Sequence, residues 1–290
     1  MTLGSITLHD GRTLETWISG PEDATPLVFH HGTPGSARPT RAVERAVHAH
    51  GLRFVGLSRP GYATSSRRPG RTVADVVGDT EAVLASIGAD RAYVGGWSGG
   101  GPHALACAAR LPQTIATLII AGVGRADSLD LDFLAGMGQD NLDEFGAAFG
   151  GESALRPYLD AQRPGLLGAT AQEVIESMAT LLPPVDRAVL TDEFGADMAA
   201  SFGDALQVSV DGWLDDDLAF VTDWGFALDE IATPVQLWQG DLDLMVPFAH
   251  GQWLATHVPG VTAHLLPGEG HVSISVGAVD RMLDGLLAVG

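Results

Sequence analysis

Ser98 lies in Gly96-Trp97-Ser98-Gly99-Gly100, a G-x-S-x-G pattern. A serine hydroxyl becomes a useful nucleophile only when a neighbouring base takes its proton. The pattern carries chemistry when it occupies a sharp strand-to-helix turn, which holds the hydroxyl up and exposed. The flanks have that character: Arg91-Ala92-Tyr93-Val94 reads as a buried strand, and His103 to Arg110 as a helix closed by Leu111-Pro112. Small residues at 96 and 100 let the two backbones pass without Cβ clashes. Free N–H groups at the helix start can stabilise an oxyanion. A Gly-rich turn with an incidental serine is the bland alternative, and the strand–helix context weighs against it.

The base best suited to Ser98 is His271, late in the chain and in a Gly-rich loop after an apolar strand. A neutral histidine needs a carboxylate on its other nitrogen to fix the tautomer and stabilise the imidazolium. Asp243 is the candidate, with Asp241 two residues away as its competitor. The order Ser98, Asp243, His271 is the one expected of a sheet with a nucleophile elbow. Two backbone N–H groups would then form the oxyanion hole, Gly99 after the nucleophile and Thr33 in the loop after the third strand. No H-E-x-x-H or similar ligand spacing occurs, so neither a metal nor a cofactor is expected. Gly99-Gly100-Gly101 is not a phosphate loop, for the chain contains no lysine.

These residues need elements that place them together. Residues 3–9 and 12–19 read as a hairpin around Asp10-Gly11. Apolar strands follow at 26–30, 52–57, 91–94, 115–121, 233–238 and 262–266, alternating with helices at 40–50, 72–87, 103–110, 248–258 and 272–289. Wholly apolar strands that alternate with helices imply a parallel sheet covered on both faces. Active sites of such sheets form at the carboxyl ends of the strands, where the four polar loops at 31–36, 96–100, 240–247 and 268–271 fall. The alternation stops between 125 and 227, where helical pieces are expected at 131–149, 171–182, 186–202 and 202–211. The expected division is a core of residues 1–124 and 228–290, with a helical cap inserted at 125–227.

Composition narrows the partners. The net charge is -20 over 290 residues, and all sixteen basic residues are arginine. Nucleic acid and anionic membrane surfaces need basic patches, so both are excluded as expected partners, leaving a small-molecule substrate. Cys107 is the single cysteine, set in an apolar run as a small core residue. The N-terminus shows no basic segment followed by an apolar one and no stretch approaches a membrane span, so a cytoplasmic enzyme is expected. The oligomeric state is not legible.

Taken together, the motifs resemble the α/β-hydrolase-fold superfamily with a helical cap. His31-Gly32-Thr33-Pro34-Gly35 is similar to its oxyanion loop, and Ser58-Arg59-Pro60-Gly61-Tyr62 to the turn after its fourth strand. Gly96 to Gly100 resembles its elbow, and Gly270-His271 its histidine loop. Gly240-x-x-Asp243-x-x-Val246-Pro247 resembles its acid loop and tips the choice to Asp243. The resemblance covers residues 1–123 and 233–290 and implies an α/β fold: a mostly parallel, twisted eight-stranded sheet with helices on both faces. It implies a serine hydrolase that forms an acyl-enzyme on a small, largely apolar ester, lactone or amide, an esterase-like activity. The oxyanion loop leans toward the proline-iminopeptidase-like branch, an aminopeptidase alternative with Thr33 where that branch usually has glycine. Such an enzyme needs acidic cap residues for the substrate amine, and Asp215-Asp216-Asp217 and Asp223 are available, although a solvated acidic turn is the simpler reading. Dehalogenases and epoxide hydrolases of this fold need aspartate where Ser98 stands. A non-catalytic ligand-binding protein on the same fold is the alternative of another class. Trp97, His103, Trp213 and Trp224 are the candidates for pocket lining, and His48, His50, His250, His257 and His264 read as surface or helix-end residues.

Overall fold

The computed structural model describes residues 2–290. Eight strands form one sheet in the order β1-β2-β4-β3-β5-β6-β7-β8. β1 (Thr2–Thr7) and β2 (Thr13–Ser19) form the antiparallel hairpin, and β2 also runs antiparallel to β4 (Arg53–Leu57). The remaining pairings, through β3 (Pro26–His30), β5 (Ala92–Trp97), β6 (Thr114–Ile120), β7 (Val235–Gly240) and β8 (Thr262–Leu266), are parallel. Successive residues of a strand face opposite sides. Val28, Val55 and Ile119 therefore enter one core cluster, while their neighbours Leu27, Phe54 and Leu118 enter the other. Helices α1 (Arg41–Ala49), α2 (Val76–Ser86), α3 (Gly100–Arg110), α10 (Phe248–His257) and α11 (Ser273–Ala288) supply the covering layers.

Local chemistry sets several boundaries. Thr72 and Asp75 cap a short 3-10 turn at Val73–Asp75 that leads into α2, and the Thr72 N–H donates to Asp75 Oδ2 at 2.7 Å. α3 begins at Gly100, three residues earlier than expected, and β5 runs on to Trp97. Strand and helix are thus separated only by Ser98 and Gly99.

Between β6 and β7 the chain forms α4 (Gln139–Phe149), α5 (Glu152–Leu166), α6 (Ala171–Ser177), α7 (Pro184–Val189), α8 (Asp192–Leu206) and α9 (Asp211–Phe220). The helix expected over 131–149 starts only at Gln139. The pieces expected at 186–202 and 202–211 divide instead into α7, α8 and α9, and α5 was not expected at all. α5 carries Pro157 and Pro164 inside it, residues that remove backbone donors and hide a helical pattern.

Asp216 of α9 ties this helical layer to the strand-end loops. Its Oδ2 accepts from Arg59 Nη2 at 2.6 Å, Tyr62 Oη at 2.8 Å and Thr33 Oγ1 at 2.8 Å. Its Oδ1 accepts from Arg71 Nη2 at 2.6 Å, and His103 Nε2 lies 3.3 Å away. Arg59 and Asp216 side chains are both 0% exposed. Burial pushes the Asp216 carboxyl up, but the Arg59 and Arg71 guanidiniums override this and hold it well below the usual carboxylate range. Removing one partner of a buried ion network leaves uncompensated charge, which costs about 3–5 kcal/mol. Asp216→Ala should therefore lower the thermal midpoint by on the order of 10 °C, as read by circular dichroism. A midpoint unchanged from wild type would show that the network is dispensable for stability.

Candidate active site

Ser98 occupies the left-handed backbone region, with φ of 57°. That conformation is costly for a residue bearing a Cβ and persists where the surroundings over-determine it. The surroundings here are close backbones. A Cβ on Gly96 would run into Gly100 O, and one on Gly100 into His30 O. Only glycine at both positions lets α3 start directly under β5 and β3. The Ser98 side chain is half-buried and faces a cavity of about 180 Å³, shared with Thr33, Pro34, Asn141, Glu144, Tyr158 and Trp213. A smaller pocket of about 60 Å³, beyond the oxyanion loop and lined by Arg38, Phe194 and Met198, does not include Ser98.

His271 and Asp243 are joined directly. His271 Nδ1 lies 2.7 Å from Asp243 Oδ2. A carboxylate can only accept, so Nδ1 carries the proton and Nε2 is left as the basic nitrogen. Asp243 is well satisfied: Oδ1 accepts from Met245 N and Val246 N, both at 2.8 Å, and Oδ2 also accepts from Gln239 Nε2 at 3.0 Å. Asp241 instead accepts from Gly268 N at 2.7 Å and does not bond to the histidine. Trp97, next to the serine, packs its ring on His271 with centroids 5.1 Å apart. Its Nε1 also reaches His271 O at 3.4 Å. Among the described residues no protein group hydrogen-bonds His271 Nε2 or Ser98 Oγ. Catalytic hydrogen bonds are often loose before substrate binds.

The loop at residues 31–36, the candidate oxyanion loop, is held from beneath. Arg59 donates through Nη1 to His31 O at 2.6 Å, and through Nη2 to Gly32 O and Thr33 Oγ1, each at 3.1 Å. Arg59 N–H donates to His31 Nε2 at 3.2 Å, while His31 Nδ1 bonds Gly32 O at 2.7 Å. Burial, reinforced by the Arg59 charge, holds the His31 imidazole well below its ordinary range, consistent with a neutral ring that accepts on one side and donates on the other. Thr33 stands against Gly99, where a Cβ would strike Thr33 Oγ1. Among the described residues, neither the Thr33 N–H nor the Gly99 N–H donates to a protein acceptor.

The other candidates divide. Trp213 lines the Ser98 cavity and donates from Nε1 to Glu144 Oε1 at 2.7 Å. Trp97 lines the smaller pocket. His103 and Trp224 are fully buried and do not line the Ser98 cavity. Burial, with Arg59 nearby, brings the His103 pKa down to about 4. The surface reading of His250 is corrected: it is 0% exposed, accepting from Gly124 N at 3.0 Å and bonding Phe133 O at 2.9 Å.

The solvated-turn reading of Asp215-Asp216-Asp217 is also corrected, since all three are buried. Asp215 pairs with Arg67 at 2.8 Å, while Asp223 lies 3.3 Å from Arg125. Among the described residues no N–H or hydroxyl donor reaches either Asp217 oxygen, and its carboxyl lies against that of Glu144, where a hydrogen bond between the two needs one of them protonated. Burial raises both carboxyls above their usual range, and for Asp217 the repulsion from Glu144 adds to it. Sequence reasoning missed Glu144, which has no motif around it.

A family model described as alpha/beta hydrolase fold matches residues 25–149. The pimeloyl-[acyl-carrier protein] methyl ester esterase of Aromatoleum aromaticum is 29% identical over 217 residues, covering 72% of this chain and 76% of the relative. Among solved structures, an epoxide hydrolase from Vigna radiata superposes with a TM-score of 0.71 at 16% identity, covering 99% of this chain and 98% of its own. An alpha/beta hydrolase fold protein from Nakamurella multipartita gives 0.64 at 24% identity, covering 100% of both chains. At these identities the two structures speak for the fold.

The Glu144–Asp217 pair has a pH signature. An unfolded chain releases such protons near pH 4, whereas the folded pair retains at least one above it. The folded state then binds more protons, so these groups' stabilisation is complete below about pH 4 and is lost as pH rises through the pair's own titration. Asp217→Asn keeps the shape without the ionisation. Its urea-unfolding free energy should fall less than that of wild type between about pH 5 and about pH 8. Parallel curves for the two proteins would show that Asp217 does not titrate in this window.

Proposed function

We propose, from the premise that this chain is an α/β hydrolase, that it works as a serine esterase on small, largely apolar esters or lactones. The observation that carries this reading is the position of Ser98, held in a left-handed turn and open to a cavity whose wall includes Thr33. Ser98 Oγ attacks the substrate carbonyl while His271 Nε2 takes its proton. Asp243 keeps the imidazole in the needed tautomer and stabilises its charge. The oxyanion receives the N–H groups of Thr33 and Gly99, which have no protein acceptor to give up. His271 then returns the proton to the leaving alcohol, and water enters by the same base to release the acid. The helical layer at 125–227 acts as a cap, with Trp213, Leu166 and Phe202 giving the cavity an apolar wall that Met245 of the core completes. The A. aromaticum relative is named as a methyl ester esterase, which supports the ester reading.

The test is hydrolysis of p-nitrophenyl esters of increasing acyl length. Ser98→Ala and His271→Ala should each fold normally and lose on the order of 10³-fold or more in kcat. Asp243→Asn should lose about 10⁴-fold if the tautomer argument holds. Full turnover by Ser98→Ala would remove the acyl-enzyme mechanism. A folded wild type that turns over neither esters nor anilides would favour the ligand-binding alternative.

One observation favours the aminopeptidase-like reading as a second. Glu144 faces the Ser98 cavity with Asp217 behind it, and among the described residues neither carboxyl is paired with an arginine. A substrate ammonium group would supply that missing charge. In that case alanine or proline p-nitroanilides outcompete neutral esters, and Glu144→Gln raises their KM by about tenfold or more while neutral esters are unaffected. An equal loss on both substrates would reject an amine-binding role for Glu144.

A further inference from the structure

We infer that Asp186, on the helical insertion, is a positioning residue for His271, holding the backbone of the base while Asp243 holds its ring. The inference rests on the assignment of His271 as general base made above. α11 starts at Ser273, and its N-cap position is Val272, a side chain that cannot accept a hydrogen bond. The first N–H groups of a helix need acceptors from outside it. Here they come from α7, 85 residues upstream of His271. Asp186 Oδ1 accepts from Val272 N at 3.0 Å and Ser273 N at 2.8 Å, and Oδ2 accepts from His271 N at 2.9 Å. One carboxylate therefore takes three consecutive backbone donors.

Asp186 is 0% exposed. Among the described residues no arginine pairs with it, so its charge is offset by these N–H groups and by the positive end of α11. The fit is close enough to dictate a neighbour: a Cβ on Gly270 would run into the Asp186 carboxylate. The same region is knitted by packing. Leu182 just before α7, Met245 two residues past the acid, and Val272 just after the base form one buried cluster. Further along the loop, Gly270 N donates to Ser273 Oγ at 2.8 Å and Ser273 Oγ to Glu269 Oε2 at 2.6 Å.

A cap that served stability alone would need only the N–H groups of α11. The third bond, to His271 itself, fixes the backbone from which the imidazole extends. Ring and backbone are then anchored by carboxylates from two different elements, β7's loop and the insertion. Small displacements of a base from its substrate proton are costly, of the order of 10²-fold for 1 Å. The docking of α7 and the aim of His271 are thereby a single structural event.

The test compares wild type with Asp186→Asn, Asp186→Ala and Gly270→Ala, using a p-nitrophenyl ester and, in parallel, Ser98→Ala. Asparagine keeps an acceptor for Val272 and Ser273 but sets its NH₂ against the His271 N–H. Asp186→Asn should lower kcat by about 10- to 100-fold with KM changed less than about threefold, and Asp186→Ala should lower it further. The downfield proton signal of His271 Nδ1–H should broaden in the same order, which a purely stabilising cap would not cause. Gly270→Ala retains the carboxylate but crowds it, and should give the same kcat loss, so the inference remains testable if Asp186→Ala fails to fold. A folded Asp186→Asn with kcat within about twofold of wild type and a sharp signal, beside an inactive Ser98→Ala, would overturn the positioning role alone. Ester turnover by Ser98→Ala at the wild-type rate would instead overturn the general-base assignment beneath it.

Discussion

The buried Asp216 carboxylate is the constraint on which the other parts depend. It draws donors from the oxyanion loop through Thr33, from the turn after β4 through Arg59 and Tyr62, and from Arg71. Taking so many charged and polar groups out of water is expensive, and the expense is met only when every member is in place. Each member of the network thus leans on the others. Arg59 belongs to it and also holds two carbonyls of the oxyanion loop, so the Thr33 N–H is aimed by an ion pair made with the helical insertion. The loop's own backbone could not hold that geometry unaided, since its carbonyls point inward toward an arginine that must itself be neutralised.

The acidity of the chain takes on a different meaning in this light. A net charge of -20 suggests a solvated surface of carboxylates. Much of the functional charge is internal and individually matched. Asp215 meets Arg67, Asp216 meets Arg59 and Arg71, and Asp243 meets His271. Asp186 meets a row of backbone donors, and Asp217 is pushed toward its neutral form beside Glu144. Arginine suits such sites because its planar fork makes several directed bonds and does not lose its proton when buried.

What the sequence made legible follows from the range of the physics involved. The elbow, the histidine loop and the acid loop each announce themselves locally, because a strand end, a glycine and a polar residue fall within a few positions of one another. The sheet was readable for the same reason, since parallel buried strands are short apolar runs. Glu144 and Asp186 carry no such local mark. They are two of 36 acidic residues, and their contacts with the cavity and with the His271 backbone arise only when α4 and α7 dock. α9 was illegible because three consecutive aspartates oppose helix formation locally, and the partners of Asp216, Arg59 and Arg71, lie 157 and 145 residues away from it. α5 was disguised by its two prolines. Long-range pairing overrode local propensity in each case.

The span of those contacts makes the candidate site depend on the helical insertion. β5 pairs with both β3 and β6, and among the described residues none of these three strands takes a ladder partner from residues 125–227. The counter-charge of Arg59 and the acceptor of the His271 N–H both come from that segment, through Asp216 and Asp186. Closing loops of this length is entropically slow relative to local structure. On the proposed mechanism, catalytic competence then rests on the docking of the helical insertion as much as on the sheet that carries Ser98.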